Sequence, residues 1–125
     1  MRILLVSCSC FLGISGILLR SPEIFPWKAV VSGLEITHNW GGMLFLVIFP
    51  MYSLDHLRIH QKRLKAISLV SVSGFAQLFS GLGLIISGIA VFLYGTDPQS
   101  FSTQSHYLLT YLLVVSMMMH YIIKK

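Results

Sequence analysis

Charge is scarce in this sequence: only 10% of its 125 residues are Asp, Glu, Lys or Arg, against about a quarter in an ordinary soluble domain. Acidic groups are scarcer still, at four, so no carboxylate cluster is available for metal or acid–base work. Cysteine is limited to Cys8 and Cys10. Two positions apart on one helix, they point to different faces, which excludes a structural disulfide between them. There is no CxxCH, so nothing indicates covalent haem attachment. "LVSC" at Leu5–Cys8 loosely resembles a lipoprotein cleavage site, but too little apolar sequence precedes it for a signal segment, and no cleavage is expected. Both cysteines are expected to be small, buried apolar residues.

Apolar sequence fills the space that charge leaves. Hydrophobic residues make up 55% of the chain and mean hydropathy is +0.80, which places it among integral membrane proteins. Four crossings are expected: Ile3 to Leu19, about Ile36 to Leu57 after an interfacial stretch from Trp27, Ala66 to Tyr94, and Gln104 to Ile123. "SPEIFP", "RIHQKRLK" and "GTDPQS" separate them. The expected fold is an all-α, up-down-up-down four-helix transmembrane bundle forming a single domain over residues 1–125. The formal charge of +5 does not indicate nucleic acid, because the cations sit at the ends of apolar segments. Arg2, the cluster Arg58, Lys62, Arg63 and Lys65, and the tail Lys124–Lys125 fall on one side. Arg20, Glu23, Lys28, Glu35 and Asp97 nearly cancel on the other. By the positive-inside rule both termini are cytoplasmic, and the second and fourth crossings run parallel.

All five histidines belong to those two parallel crossings. A histidine in hydrocarbon is costly unless its ring nitrogens are satisfied. His106 and His120 are fourteen residues apart, a rise of about 21 Å with a return to nearly the same face. His38 and His56 are eighteen apart, close to five turns, and also share a face. His38 and His106 lie at the outer interface, and His56 and His120 toward the cytoplasm. Two imidazoles per level, with no thiolate and no carboxylate cluster, suit b-type haem, since two axial histidines leave iron no open position and favour electron transfer over oxygen activation. The expected site residues are thus His38 and His106 for an outer haem and His56 and His120 for an inner one. The competing class is a non-redox structural or assembly subunit whose histidines only bond between helices; a histidine-lined metal or proton path is a third.

The chain resembles the four-helix dihaem cytochrome b subunits that anchor respiratory enzymes, such as the formate dehydrogenase gamma subunit and hydrogenase cytochrome b. The likeness rests on "HYLLTYLLVVSMMMH", on "HNWGG", and on "SG" in the first and third crossings. It implies that His106 and His120 supply one ligand to each of two haems. It also implies quinone chemistry near one haem and a redox partner at the membrane surface, a multihaem cytochrome c or an iron–sulfur protein. The chain would then be an electron-transfer subunit of a quinone-linked oxidoreductase in a bacterial or archaeal cytoplasmic membrane. Two features depart from that family. Its first crossing carries no histidine, so every partner ligand must come from the second. A match to the fourteen-residue spacing would also fall on Tyr52, one turn before His56. The ligand separation along the second crossing is then about 27 Å against about 21 Å along the fourth. Pro50 can shift the phase between them; otherwise a tilted haem, or His60 as the inner ligand, would be required.

Several further features carry two readings each. "SG" recurs at Ser73, Ser80 and Ser87, seven residues apart, and again at Ser15. Such a stripe serves close helix packing, or a groove facing a flat macrocycle. Gly41 and Gly42, one turn after His38, have the same two readings. His60 with His56 could form a zinc pair, or lie beside haem propionates or lipid headgroups together with Arg58 and Lys62. Asp55 could relay a proton or pair with Arg58 or Lys62, and Glu35 is similarly open. Met117 to Met119 point in different directions and read as packing. Trp27, Trp40, Tyr94, Tyr107 and Tyr121 fall near helix ends, as an aromatic belt does.

Overall fold

Continuous apolar sequence with few breakers forms four long helices in the computed structural model, which describes residues 1–21, 28–61, 68–95 and 97–123. They are α1 (Arg2–Arg20), α2 (Lys28–Ile59), α3 (Leu69–Tyr94) and α4 (Phe101–Ile123). All four are long and apolar enough to cross a membrane. Lys62, Arg63, Lys65 and Ala66, with Glu23, Trp27, Lys124 and Lys125, lie outside the described residues, as does the side chain of Lys28.

Local chemistry sets the described helix ends. Ser68 caps α3, its hydroxyl accepting from the Ser71 amide at 3.2 Å. Gly95 closes α3 at φ 96°, ψ 171°, a backbone conformation close to glycine's own preserve. Asp97 Oδ1 accepts from the Gln99 amide at 3.0 Å, and Ser100 Oγ from the Thr103 amide at 3.2 Å, so turn and cap follow each other into α4. The second crossing starts earlier than its hydropathy indicates. α2 is helical from Lys28, because a backbone leaving hydrocarbon keeps its internal hydrogen bonds whether or not its side chains remain apolar. Its 32 residues extend about 48 Å, well beyond a hydrocarbon core of about 30 Å. Pro50 lies inside this helix and does not end it.

The chain divides into two compact units, Met1–Tyr52 and Ser53–Lys125. In the first, α1 packs antiparallel on α2: Cys8 Sγ donates to the Gly41 carbonyl at 3.5 Å, and two α1 turns later Ser15 meets His38. A Cβ on Gly41 would lie 3.1 Å from Leu12 Cδ2 and 3.2 Å from Phe11 Cε1, so packing of the helices accounts for that glycine. Cys8 is buried, but Cys10 is exposed, on the outer face of an apolar helix where a thiol meets lipid as readily as protein. In the second unit α3 packs antiparallel on α4 in one register. Ser87 faces His106, Gln77 faces Ser116 and Ser73 faces His120, each step back along α3 matched by an equal step along α4.

Among the described residues six small hydroxyl side chains share the interior with six hydrophobic ones. Among the described residues the most deeply buried side chains are Ser80 (0% exposed) and Ser15 (1%), while large residues such as Ile86 (70%) and Phe79 (68%) face outward. This is the inverse of a soluble core. It is the pattern of helices in lipid, where small residues bring backbones close and apolar bulk gains nothing by turning inward.

Candidate functional site

Three of the four histidines expected as ligands are held in the same way. His38 Nδ1 lies 2.7 Å from Ser15 Oγ, His106 Nδ1 2.9 Å from Ser87 Oγ, and His120 Nδ1 2.9 Å from Ser73 Oγ. Each serine belongs to an "SG" pair, and the glycine leaves room for the ring edge. A Cβ on Gly16 would lie 3.4 Å from His38 Cε1, one on Gly88 3.3 Å from His106 Cε1, and one on Gly74 4.0 Å from His120 Cε1. The Ser-Gly stripe therefore does more than pack helices: its serine grips one imidazole nitrogen while its glycine admits the ring.

Hydrogen-bond accounting limits the proton positions to two arrangements. Each serine hydroxyl also lies within reach of a carbonyl three residues back: Ser15 to Leu12 at 3.2 Å, Ser73 to Val70 at 3.0 Å and Ser87 to Leu84 at 3.3 Å. A hydroxyl has a single proton. Given to the carbonyl, it leaves only lone pairs toward the histidine, and Nδ1 carries the hydrogen; given to Nδ1, it makes the ring nitrogen the acceptor, and the heavy-atom geometry admits both. In the first arrangement the neutral ring holds its lone pair on Nε2, the form in which imidazole ligates a metal through that nitrogen.

The fourth pair, Ser80–Gly81, lies midway between the two grips on α3 and holds no imidazole. Ser80 Oγ donates to the Ala76 carbonyl at 2.6 Å, and the matching position on α4 is the buried Leu113. Near this level Gln77 Nε2 donates to the Ser116 carbonyl at 3.1 Å, tying the two helices together. One apolar and two imidazole levels thus alternate along a single α3–α4 interface.

His56 and His60 form a different arrangement at the end of α2. Their rings stand edge to face with centroids 4.5 Å apart, and the His60 amide donates to the His56 carbonyl at 3.1 Å. Among the described residues no group of three or more His, Cys, Asp or Glu side chains gathers to hold a metal ion, so a protein-only four-ligand zinc centre does not form there. A haem asks less of the chain, two imidazoles, because the porphyrin supplies the other four nitrogens. The residues fit that group: imidazoles held at Nδ1 by serine hydroxyls at His38, His106 and His120, and beside His38 a glycine, Gly42, whose Cβ would meet nothing within 4 Å. Asp55 and Glu35 are exposed.

Ser15, Ser73 and Ser87 were not among the site residues that the sequence indicates on its own. A signal was nonetheless present: Ser73 and Ser87 are separated by the same fourteen residues as His106 and His120. Two equal intervals on consecutive antiparallel helices are what two repeated contacts require. The sequence matches no known family model, no curated protein and no solved structure.

Proposed function

We propose that this chain is a haem-b-binding membrane subunit that moves electrons across the bilayer through two bis-histidine haems, between a quinone pool and a partner redox protein. The observation that carries this reading is the pair of like-built histidines on α4. His106 and His120 are one turn-matched interval apart, each with Nδ1 engaged by a buried serine. His38 shares the construction from α1 and α2 and is the proposed partner of His106. His56 is the proposed partner of His120, with His60 as the alternative. In this reading the helices form an up-down bundle with both termini cytoplasmic, as the cation distribution favours.

Haem bound this way would supply one-electron redox chemistry. The chain's own contribution is to hold the imidazoles at fixed tautomer and depth, and to surround them with apolar side chains that exclude water. A multihaem cytochrome c or an iron–sulfur protein would serve as the partner. A second reading shares one observation. Histidine–serine bonds between membrane helices stabilise a bundle by about 0.6 kcal/mol each, which is the role expected of a purely structural subunit. Reduced-minus-oxidised visible spectra of the purified chain separate the two: a b-type band with two haems per chain by pyridine haemochrome is expected, and its absence rejects electron transfer.

A further inference from the structure

Resting on the haem reading, we propose that Ser15, Ser73 and Ser87 are positioning residues that set the electronic character of the three gripped ligands. In this assignment each accepts the Nδ1 proton of its histidine and gives its own proton to the i−3 carbonyl that lies within reach. Two consequences follow. The ring cannot turn over to present Nδ1 outward without losing the bond, so Nε2 is the ligating atom at all three positions. The serine is also not a base. A carboxylate partner draws the Nδ1 proton and lends the ring imidazolate character, which raises ligand basicity and favours the oxidised metal. A serine oxygen accepts the hydrogen bond without drawing the proton away, so the ligands remain neutral imidazoles.

Ser80 provides an internal control. It has the same residue type, the same "SG" context and the deepest burial, but its hydroxyl serves only Ala76. Removing that hydroxyl removes an intrahelical bond and touches no imidazole.

The test uses the full chain in lipid nanodiscs, with Ser15→Ala, Ser73→Ala, Ser87→Ala and Ser80→Ala followed by redox titration of the visible band. Each of the first three should shift the midpoint potential of one haem in the positive direction, because a ring whose Nδ1–H has lost its acceptor is a weaker donor. Each should also weaken retention of that haem by about 10–100-fold. Ser80→Ala should match the parent chain, and Ser73→Thr and Ser87→Thr, which keep the hydroxyl, should restore the parent potentials. Parent potentials and full haem content in all three alanine variants would overturn the positioning role while leaving the haem reading intact. An independent measurement separates the other failure: ¹⁵N spectra of labelled chain reconstituted without haem should show protonated Nδ1 and unprotonated Nε2 at His38, His106 and His120, reverting in the alanine variants. Those spectra together with no b-type band in the parent would reject the haem reading, and the positioning role with it. A parent b-type band with Nε2–H tautomers at the three histidines would reject the serine assignment alone.

Discussion

His106 Nδ1 lies 2.9 Å from Ser87 Oγ, and fourteen residues along both helices His120 repeats the contact with Ser73 at the same distance. Fourteen residues are about four helical turns, which return to nearly one face after about 21 Å. The repetition makes the two α4 histidines equivalent in their surroundings and different in their depth. If each serves one haem, His106→Ala and His120→Ala should each reduce pyridine haemochrome from two haems per chain to one. The lost haem should differ between them in potential. Loss of both from either variant would mean that the two sites are not independent.

The α2 histidines proposed as partner ligands are tested in the same way. His38→Ala should remove the same haem as His106→Ala, and His56→Ala the same haem as His120→Ala. His60→Ala should keep both. The edge-to-face stacking of His56 and His60, with centroids at 4.5 Å, makes the pair a close contest. Full haem content in His56→Ala, with one haem lost in His60→Ala, would transfer the inner ligand to His60.

The glycine beside each serine grades the tolerance of the three grips. A methyl group at Gly88 would meet His106 Cε1 at 3.3 Å, at Gly16 His38 Cε1 at 3.4 Å, and at Gly74 His120 Cε1 at 4.0 Å. The first is tighter than a relaxed van der Waals contact, and the last is ordinary. Gly88→Ala should therefore broaden and shift the visible band of the haem proposed at His106, while Gly74→Ala leaves the other unchanged. Equal effects from the two substitutions, read from low-temperature spectra, would show that ring clearance is not what these glycines provide.

How much of this could be read in advance divides along a physical line. The four helices are legible because span length and apolar content are local properties, and three of the four cores fall where hydropathy puts them. The beginning of α2 at Lys28 is not legible, because Glu35 and Thr37 read as interface while the backbone stays helical through them. The grips on His106 and His120 depend on which α3 residue faces which α4 residue, a tertiary register that no single segment encodes. The matched fourteen-residue intervals carry that register, but only once both helices are known to be antiparallel neighbours. Cys10 shows the opposite error: an apolar setting suggested burial, yet in a membrane helix an apolar residue has no reason to face inward.

Gln77 supplies the mid-interface link between α3 and α4 through its 3.1 Å bond to the Ser116 carbonyl. Replacing it with leucine keeps the volume but removes the donor. Interhelical hydrogen bonds in membranes contribute about 0.6 kcal/mol on average and up to about 1.7. Gln77→Leu should lower the stability of the purified chain by an amount in that range in a detergent unfolding titration, with the haem spectrum unchanged. A spectral shift would place Gln77 in electronic contact with a ligand.

Gly95 tests the turn that sets the α3–α4 register. At φ 96° and ψ 171° it occupies a region that costs an L-residue about 1–3 kcal/mol. No atom lies within 4 Å of a Cβ built there, so any effect of Gly95→Ala comes from the backbone and not from crowding. The expected result is a loss of about 1–3 kcal/mol in unfolding free energy. If the strained turn relaxes by shifting α3 along α4, Ser87 and His106 move apart together with Ser73 and His120, and both potentials shift. If the register holds, stability falls alone and both potentials remain at the parent values. The Ser100 cap on Thr103 and the Asp97 turn bond to Gln99 lie beyond Gly95 in sequence and do not depend on its φ, which favours the second outcome. Redox titration of Gly95→Ala beside its unfolding curve distinguishes them.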